Sequence, residues 1–111
     1  IVAVSAVNAH YPQKCMTLYA SSKIAIEAAV RTLSLELADQ NIRINSVIPG
    51  AVDTPMSEAV DSSMLEVIKS KQLLGMQKPE QIADFIAYLL SDRASAITGR
   101  NLFSDGGMLG Q

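Results

Sequence analysis

The order of strand-like and helical segments along the chain is the feature that most limits its fold. Three short runs, at positions 1–5, 42–48 and 100–104, predict strands. Helical segments separate them, and each connection is longer than the dozen residues that a parallel crossover needs. Right-handed crossovers then place the helices against the sheet. The sequence therefore predicts an α/β fold that forms half of a doubly wound parallel sheet, in strand-helix-strand-helix-strand order.

The helical segments differ in how clearly their apolar residues are spaced. Residues 17–39 carry two apolar stripes, which predicts a helix with one side against the sheet and the other against a partner subunit. Glu27 and Arg31 lie four residues apart and are expected to pair on the remaining exposed face. Residues 57–74 predict a weaker helix. The segment that begins at Pro79 predicts the best-defined helix, since proline suits a first helical position.

The composition excludes several classes of function. Of the 111 residues, 49% are hydrophobic and 18% are charged, which suits one folded domain spanning residues 1–111. The net charge of -2 provides no basic surface for nucleic acid, and no stretch is long and apolar enough to span a membrane. Cys15 and His10 are the single cysteine and histidine, so neither a disulfide nor a metal centre is expected. A reducing, cytoplasmic location is expected.

Candidate reacting groups lie at the start of the first helical segment. Parallel α/β sheets bind ligands beyond the carboxyl ends of their strands, here after Val4, Ile48 and Ser104. Tyr19 and Lys23 lie four residues apart and share a helix face. A phenol has a pKa of about 10, and a nearby ammonium lowers it by favouring the phenolate. Such a pair can act as a general acid/base on an alcohol or carbonyl, although a surface tyrosine stacked on a lysine stem has the same spacing.

Five segments together resemble the C-terminal half of the short-chain dehydrogenase/reductase family. They are IVAVS at 1–5, YASSK at 19–23, IRINSVIPG at 42–50, TP at 54–55 and ITGRNLFSDGG at 97–107. The resemblance covers nearly the whole chain and implies a Rossmann-type domain whose N-terminal, dinucleotide-binding half is missing here. It also implies NAD or NADP as cofactor, a small alcohol or ketone as substrate, and a homodimer or homotetramer. The chain starts at Ile1 without an initiator methionine, so we expect either that a segment has been removed or that the chain is part of a longer protein.

The resemblance implies catalytic roles around the first strand end. Tyr19 would exchange a proton with the substrate as hydride moves, and Lys23 would hold the nicotinamide ribose and favour the phenolate. The family usually has a catalytic serine thirteen residues before the tyrosine, as the second of a Ser-Ser pair. That position is Ala6 here, and an alanine cannot polarise a carbonyl. Ser5, the first of the pair, takes the role if the strand end shifts; otherwise strand alternation aims it to the other face.

The loop after the second strand carries the other implied cofactor contacts. Pro49 and Gly50 would shape the wall against the nicotinamide, and glycine permits a close approach of the backbone. Val52 would offer backbone groups to the carboxamide, and Thr54 a hydroxyl to the carboxamide or a phosphate. The resemblance implies that the segment 57–74, which follows this loop, covers the substrate, although its apolar residues also suit the core.

Two functions remain open. The first is an NAD(P)-dependent oxidoreductase that interconverts a secondary alcohol and a ketone, with segments closest to those of 3-oxoacyl-carrier-protein reductases. The second is a non-catalytic or truncated family member that serves as a binding or assembly module. Ala6 and the missing phosphate-binding loop favour the second function. The Tyr19/Lys23 pair and the loop at 49–54 favour the enzyme, because folding requires neither.

Overall fold

The sheet matches the predicted architecture. The structure, a computed structural model, describes residues 1–59 and 61–110. Its three parallel strands are β1 (Val2–Val4), β2 (Asn45–Pro49) and β3 (Asn101–Ser104), and β2 lies between the other two. The expected α/β class with a parallel sheet is therefore confirmed.

The central strand β2 is the most deeply buried element. Val47 and Ile48 are both 0% exposed and point to opposite faces, which is typical of a parallel strand covered on both sides. Val47 lies opposite Val4 of β1 and Leu102 of β3. The strand begins later than the predicted 42–48, in part because the backbone N–H of Ile44 bonds to a threonine hydroxyl instead of a neighbouring strand.

Four helices join the strands. They are α1 (Thr17–Glu36), α2 (Pro55–Glu58), α3 (Ser62–Lys71) and α4 (Pro79–Leu90), with short 3-10 turns at Val7–Ala9, Ala38–Gln40 and Asp92–Ala94. Helix α4 packs on the Val47 face of the sheet, where Val47, Ile82, Leu89 and Ala94 form a buried cluster. Helix α1 lies on the other face, because the side chain of Asn101 in β3 donates to the carbonyl of Glu27 at 3.3 Å. The site residues therefore sit on a sheet covered on both faces.

Helix α4 follows its sequence pattern closely. Pro79 is its first residue, as predicted, and the backbone N–H of Lys78 donates to the side chain of Gln81 at 2.8 Å. Ile82 and Leu89, two of its periodic apolar residues, are buried against β2. Periodicity and a start signal agree here, and the helix begins at the predicted residue.

The other helices differ from their predicted extents. Helix α1 ends at Glu36 instead of 39, because Leu37 begins a short 3-10 turn that Asn41 closes with a left-handed φ of 57°. The single helix predicted over 57–74 is two helices, α2 and α3, with Val60 between them outside the described residues. Helix α2 begins earlier than predicted because Thr54 and Pro55 form a helix start. The second apolar stripe of α1 is exposed, with Leu35 at 80%.

None of the helices in residues 1–59 and 61–110 has the length and apolar character that crossing a bilayer requires.

Candidate active site

A cavity of about 340 Å³ opens at the carboxyl ends of β1 and β2. Its walls come from the turn after β1, the start of α1, the loop at 49–54 and the two helices α2 and α3. All the candidate site residues that the sequence predicted line it: Ser5, Tyr19, Lys23, Pro49, Gly50, Val52 and Thr54. The prediction that a site lies beyond these strand ends agrees with this placement.

The residues after the third strand instead form a turn. The carboxylate of Asp105 accepts hydrogen bonds from the backbone N–H of Gly107 at 3.0 Å and of Leu109 at 2.9 Å. Gly106 and Gly107 both have positive φ, at 59° and 85°, which glycine adopts without strain. The Asp-Gly-Gly sequence thus forms the turn that follows β3.

Tyr19 and Lys23 lie side by side in the first two turns of α1. The Lys23 Nζ atom is 5.7 Å from the centroid of the Tyr19 ring. The same atom donates a hydrogen bond to the carbonyl of Val4, the last residue of β1, at 3.1 Å. One bond to the strand end thus fixes the ammonium beside the phenol, and Tyr19 stays 39% exposed toward the cavity.

The hydroxyl of Ser5 is directed toward helix α1. Its Oγ donates to the Glu27 carboxylate at 2.6 Å and lies 3.2 Å from the carbonyl of Lys23. Ser5 is buried, as is its neighbour Ala6, which has an extended backbone and presents only a methyl group. The family's serine position therefore brings no hydroxyl to the cavity, and the hydroxyl of Ser5 is held by a carboxylate.

Glu27 is buried, so the expected pair with Arg31 on an exposed face is wrong. Its side chain is 1% exposed, and its Oε2 lies 2.7 Å from Nε2 of His10. The His10 ring meets the Phe103 ring edge-on, with centroids 5.0 Å apart. Sequence spacing held a signal for this burial, because Glu27 follows Lys23 by four residues and so shares the face that Lys23 turns toward the strand.

Gln72, which the sequence did not single out, supports the opposite wall. It is 2% exposed, and its Oε1 accepts from the backbone N–H of Ala51 at 2.8 Å. Its Nε2 donates to the carbonyls of Ala51 at 3.1 Å and Gly75 at 2.7 Å. A Cβ on Gly50 would lie 2.7 Å from Oε1 of Gln72 and 3.0 Å from Cα of Asp105, so only glycine fits there without displacement. No local pattern marks a buried glutamine in advance.

The next part of the same loop pairs like a short strand. Val52 and Gln77 form an isolated parallel bridge, in which Gln77 N–H donates to Ala51 O and Asp53 N–H donates to Gln77 O. In this pattern the N–H and C=O of Val52 itself point away from Gln77. The backbone N–H of Thr54 donates to Ser57 Oγ at 3.1 Å, which fixes the start of α2. The loop thus offers a fixed donor and acceptor pair at Val52.

The donor set of the cavity suits a nicotinamide nucleotide and not a metal ion. Lys23 has further N–H groups for the hydroxyls of a ribose, and the Val52 backbone matches the donor and acceptor of a carboxamide. Among the described residues no group of three or more His, Cys, Asp or Glu side chains is placed to hold a metal ion. The residues present therefore fit the nicotinamide end of such a cofactor.

Comparison with known proteins gives the family. Residues 1–109 match the family model described as enoyl-(acyl carrier protein) reductase. The chain is 40% identical over 110 residues to a 3-oxoacyl-[acyl-carrier-protein] reductase of Thermotoga maritima, covering 98% of this chain and 45% of that protein. It is 37% identical over 111 residues to 3beta-hydroxysteroid dehydrogenase 1 of Eggerthella lenta, covering 97% and 42%. The chain belongs to the short-chain dehydrogenase/reductase family.

A solved structure extends this likeness to three dimensions. The structure of 4-hydroxyisoleucine dehydrogenase complexed with NADH superposes with a TM-score of 0.89 at 32% identity, over 100% of this chain and 47% of that one. The fold is thus the C-terminal half of a Rossmann-type dehydrogenase fold. The chain spans about half the length of the curated relatives that it matches.

Proposed function

We propose that this chain forms the acid/base and nicotinamide-facing part of an NAD(P)-dependent oxidoreductase, which interconverts a secondary alcohol and a ketone. The observation that carries this proposal is the cavity itself, which gathers Tyr19, Lys23 and the loop at 49–54 beyond two parallel strands. A second observation supports it, because the matched relatives include proteins named as reductases and dehydrogenases.

The cofactor contacts follow from which groups still have hydrogen bonds to give. Lys23 uses one N–H on Val4 O, and its others hold the nicotinamide ribose hydroxyls. The backbone of Val52 pairs with the carboxamide, and the wall at Pro49 and Gly50 supports the ring. Thr54, at the start of α2, turns its hydroxyl to the carboxamide or a phosphate. The bound cofactor, NAD or NADP, supplies or accepts the hydride.

Tyr19 carries the proton of the reaction. In the direction of reduction, its phenol O–H protonates the carbonyl oxygen as hydride reaches the carbonyl carbon, which gives the alcohol. In the direction of oxidation the phenolate removes the same proton. Lys23 lies beside this phenol, with Nζ 5.7 Å from the ring centroid. The partial exposure of Tyr19 lets its hydroxyl reach a bound substrate.

The substrate side of the cavity is mostly apolar. Met56 of α2 and Leu65 and Ile68 of α3 line it, and methionine adapts to different shapes. We therefore propose a ketone or alcohol with an apolar part, and a 3-oxoacyl thioester is the first to test. We further propose that the exposed stripe of α1, which includes Leu35, forms a homodimer or homotetramer contact. Light scattering that shows only a monomer would contradict the assembly.

The test is the substitution Tyr19→Phe in the protein as it occurs in its source, including any residues that precede Ile1. We expect turnover of NAD(P)H with acetoacetyl-CoA or a 3-ketosteroid to fall at least about 100-fold, as for loss of a general acid/base. Cofactor binding and the circular dichroism spectrum should stay unchanged. Tyr88→Phe, at a half-exposed tyrosine of α4, is the matched control and should keep full activity.

Two other outcomes would redirect the proposal. If the Tyr19→Phe variant keeps wild-type turnover, Tyr19 is not the acid/base. If the wild-type protein neither binds NAD(P)H nor turns over any ketone, the alternative holds, and the chain is a non-catalytic binding or assembly module. The methyl group of Ala6 beside the cavity is the observation that favours this alternative.

A further inference from the structure

The cavity has to stabilise charge as well as deliver a proton. When hydride reaches a carbonyl carbon, negative charge develops on the oxygen, and hydrogen-bond donors held in place there lower the barrier. Tyr19 is one such donor in the proposed reaction. A single donor leaves part of the developing charge without a partner, so the other polar side chains that line the cavity are the place to look for a second.

Most of these side chains already donate within the protein. The Ser5 hydroxyl donates to Glu27 at 2.6 Å, and the Ser57 hydroxyl to Thr54 O at 2.7 Å. The hydroxyl of Thr54 lies 3.5 Å from Val52 O, at the limit of a hydrogen bond, and sits on the cofactor loop. A hydroxyl has one proton to give, so Ser5 and Ser57 have none left for a ligand. The Ser5 bond is also charge-assisted and therefore strong.

Asn8 differs from these residues in its supply of donors. Its Nδ2 carries two N–H groups, and one of them bonds to Oε1 of Gln13 at 2.8 Å. Among the residues that the structure describes, the second N–H has no acceptor, and Asn8 lines the cavity together with Tyr19. The amide is therefore oriented by one bond and still has a donor to offer.

The backbone that carries Asn8 is held firmly. Asn8 lies in the 3-10 turn Val7–Ala9, directly after β1. The N–H groups of His10 and Tyr11 both donate to Val7 O, at 2.9 and 2.8 Å. The bond between His10 and buried Glu27 ties the end of this turn to α1, the helix that carries Tyr19. A donor placed in this way needs little rearrangement when charge appears.

We propose that Asn8 is a catalytic residue that donates its second amide N–H to the substrate carbonyl oxygen. This inference rests on the proposed function, in which Tyr19 supplies the proton to the same oxygen. Asn8 keeps both of its protons throughout and stabilises the oxygen only by hydrogen bonding. Gln13 is a positioning residue, because its Oε1 fixes the orientation of the Asn8 amide.

The test compares Asn8→Ala with the wild-type protein and with Tyr19→Phe, all in the chain as it occurs in its source. The probe is acetoacetyl-CoA with saturating NADH or NADPH. We expect Asn8→Ala to lower kcat about 100-fold, the effect of losing one such donor, with smaller changes in KM and none in cofactor affinity. Gln13→Ala should lower kcat less, because the amide remains but is no longer oriented. Gln40→Ala, at an exposed amide in another turn, should be without effect.

A rescue variant separates this role from a structural one. Ala6→Ser places a hydroxyl on a cavity residue two positions before Asn8, so the double variant Ala6→Ser/Asn8→Ala should regain at least about tenfold in kcat. If Asn8→Ala folds poorly, Asn8→Asp keeps the shape, removes both donors and should reduce kcat further, with the melting temperature as a check.

The outcomes also distinguish a failure of the role proposed for Asn8 from a failure of the proposed function. Loss of turnover in Tyr19→Phe together with wild-type kcat in Asn8→Ala would overturn the role of Asn8 and leave the proposed function standing. A higher KM or a weaker affinity for the cofactor, without a fall in kcat, would also overturn it, because a donor to the reacting oxygen acts on kcat. Absence of turnover in the wild-type protein would overturn both.

Discussion

The two walls of the cavity are held by different chemistry. The first wall, residues 5–10 with the start of α1, depends on one buried carboxylate, Glu27, which binds Ser5 and His10. The second wall, residues 49–54, depends on the amide side chain of Gln72, which bonds to backbone groups, and on the backbone of Gln77, which bonds to Ala51 and Asp53. A carboxylate gives strong bonds that are costly to break, whereas a neutral amide substitutes for a neighbouring strand at low desolvation cost.

The contrast matches the task proposed for each wall. The first wall holds the groups proposed to react, which need fixed positions within tenths of an ångström. The second wall is proposed to support a flat ring, which a backbone surface suits. Breaking the first wall should therefore affect stability and kcat, and breaking the second should affect cofactor affinity.

The largest effect is expected for Glu27→Ala. Removing this carboxylate leaves Ser5 and His10 without their partner and should lower the free energy of unfolding by about 3 kcal/mol, because two hydrogen bonds to a charged group are lost. Urea unfolding measures it. Glu66→Ala, which removes an exposed pair with Lys69, is the control and should cost less than about 1 kcal/mol. Equal losses of unfolding free energy in the two variants would show that the first wall does not depend on Glu27.

Gln72→Leu should have the next largest effect. It leaves the N–H of Ala51 and the carbonyl of Gly75 without partners, while Ala51 O keeps its bond from the Gln77 N–H, and it should cost about 2 kcal/mol of unfolding free energy. The Kd for NAD(P)H should rise about tenfold, with kcat at saturating cofactor nearly unchanged. Fluorescence titration gives Kd. A variant with reduced kcat and an unchanged Kd would reverse the assignment of the two walls.

Gly50→Ala tests, with a smaller change, whether Gln72 sets the position of the loop at 49–54. The added Cβ would meet the Gln72 side chain and the Asp105 backbone, and about 1 kcal/mol of destabilisation is expected from this overpacking. Because one of the clashing atoms belongs to Gln72, the cost should be smaller in a Gln72→Ala background. A double-mutant cycle on thermal unfolding measures the coupling. Strict additivity would show that Gln72 does not set the position of the loop.

His10→Ala is expected to have the smallest effect. The ring is partly exposed, so water can take its place on the Glu27 carboxylate, and losing the hydrogen bond should cost no more than about 1 kcal/mol. The Kd for NAD(P)H should stay at the wild-type value, because His10 supports only the first wall. Thermal melts and fluorescence titration test both statements. A weaker affinity for the cofactor would show that the two walls are coupled.

The sequence predicted what depends on local pattern. Proline position and apolar periodicity gave α4 correctly, and the spacing of Tyr19 and Lys23 placed both on the face that meets β1. The role of Gln72 could not be predicted, because it depends on a hydrogen bond with Ala51, which is distant in sequence. The exposed position predicted for Glu27 is wrong, because its place on the helix face toward β1 outweighs the preference of a charge for solvent. The apolar pattern of residues 57–74 is too weak to indicate the break between α2 and α3.

The pairing of β2 with its neighbours has a consequence for how the protein folds. Ser46 bonds to Asn101, 55 residues away, and the first strand joins from the other end of the chain. Pairings of this kind make folding slow, since long loops must close before any contact is gained. Tyr19 and Lys23 can take up their helix early, but the cavity exists only after both crossovers have closed. Ligand binding should therefore return in the last refolding phase, well after the helical signal.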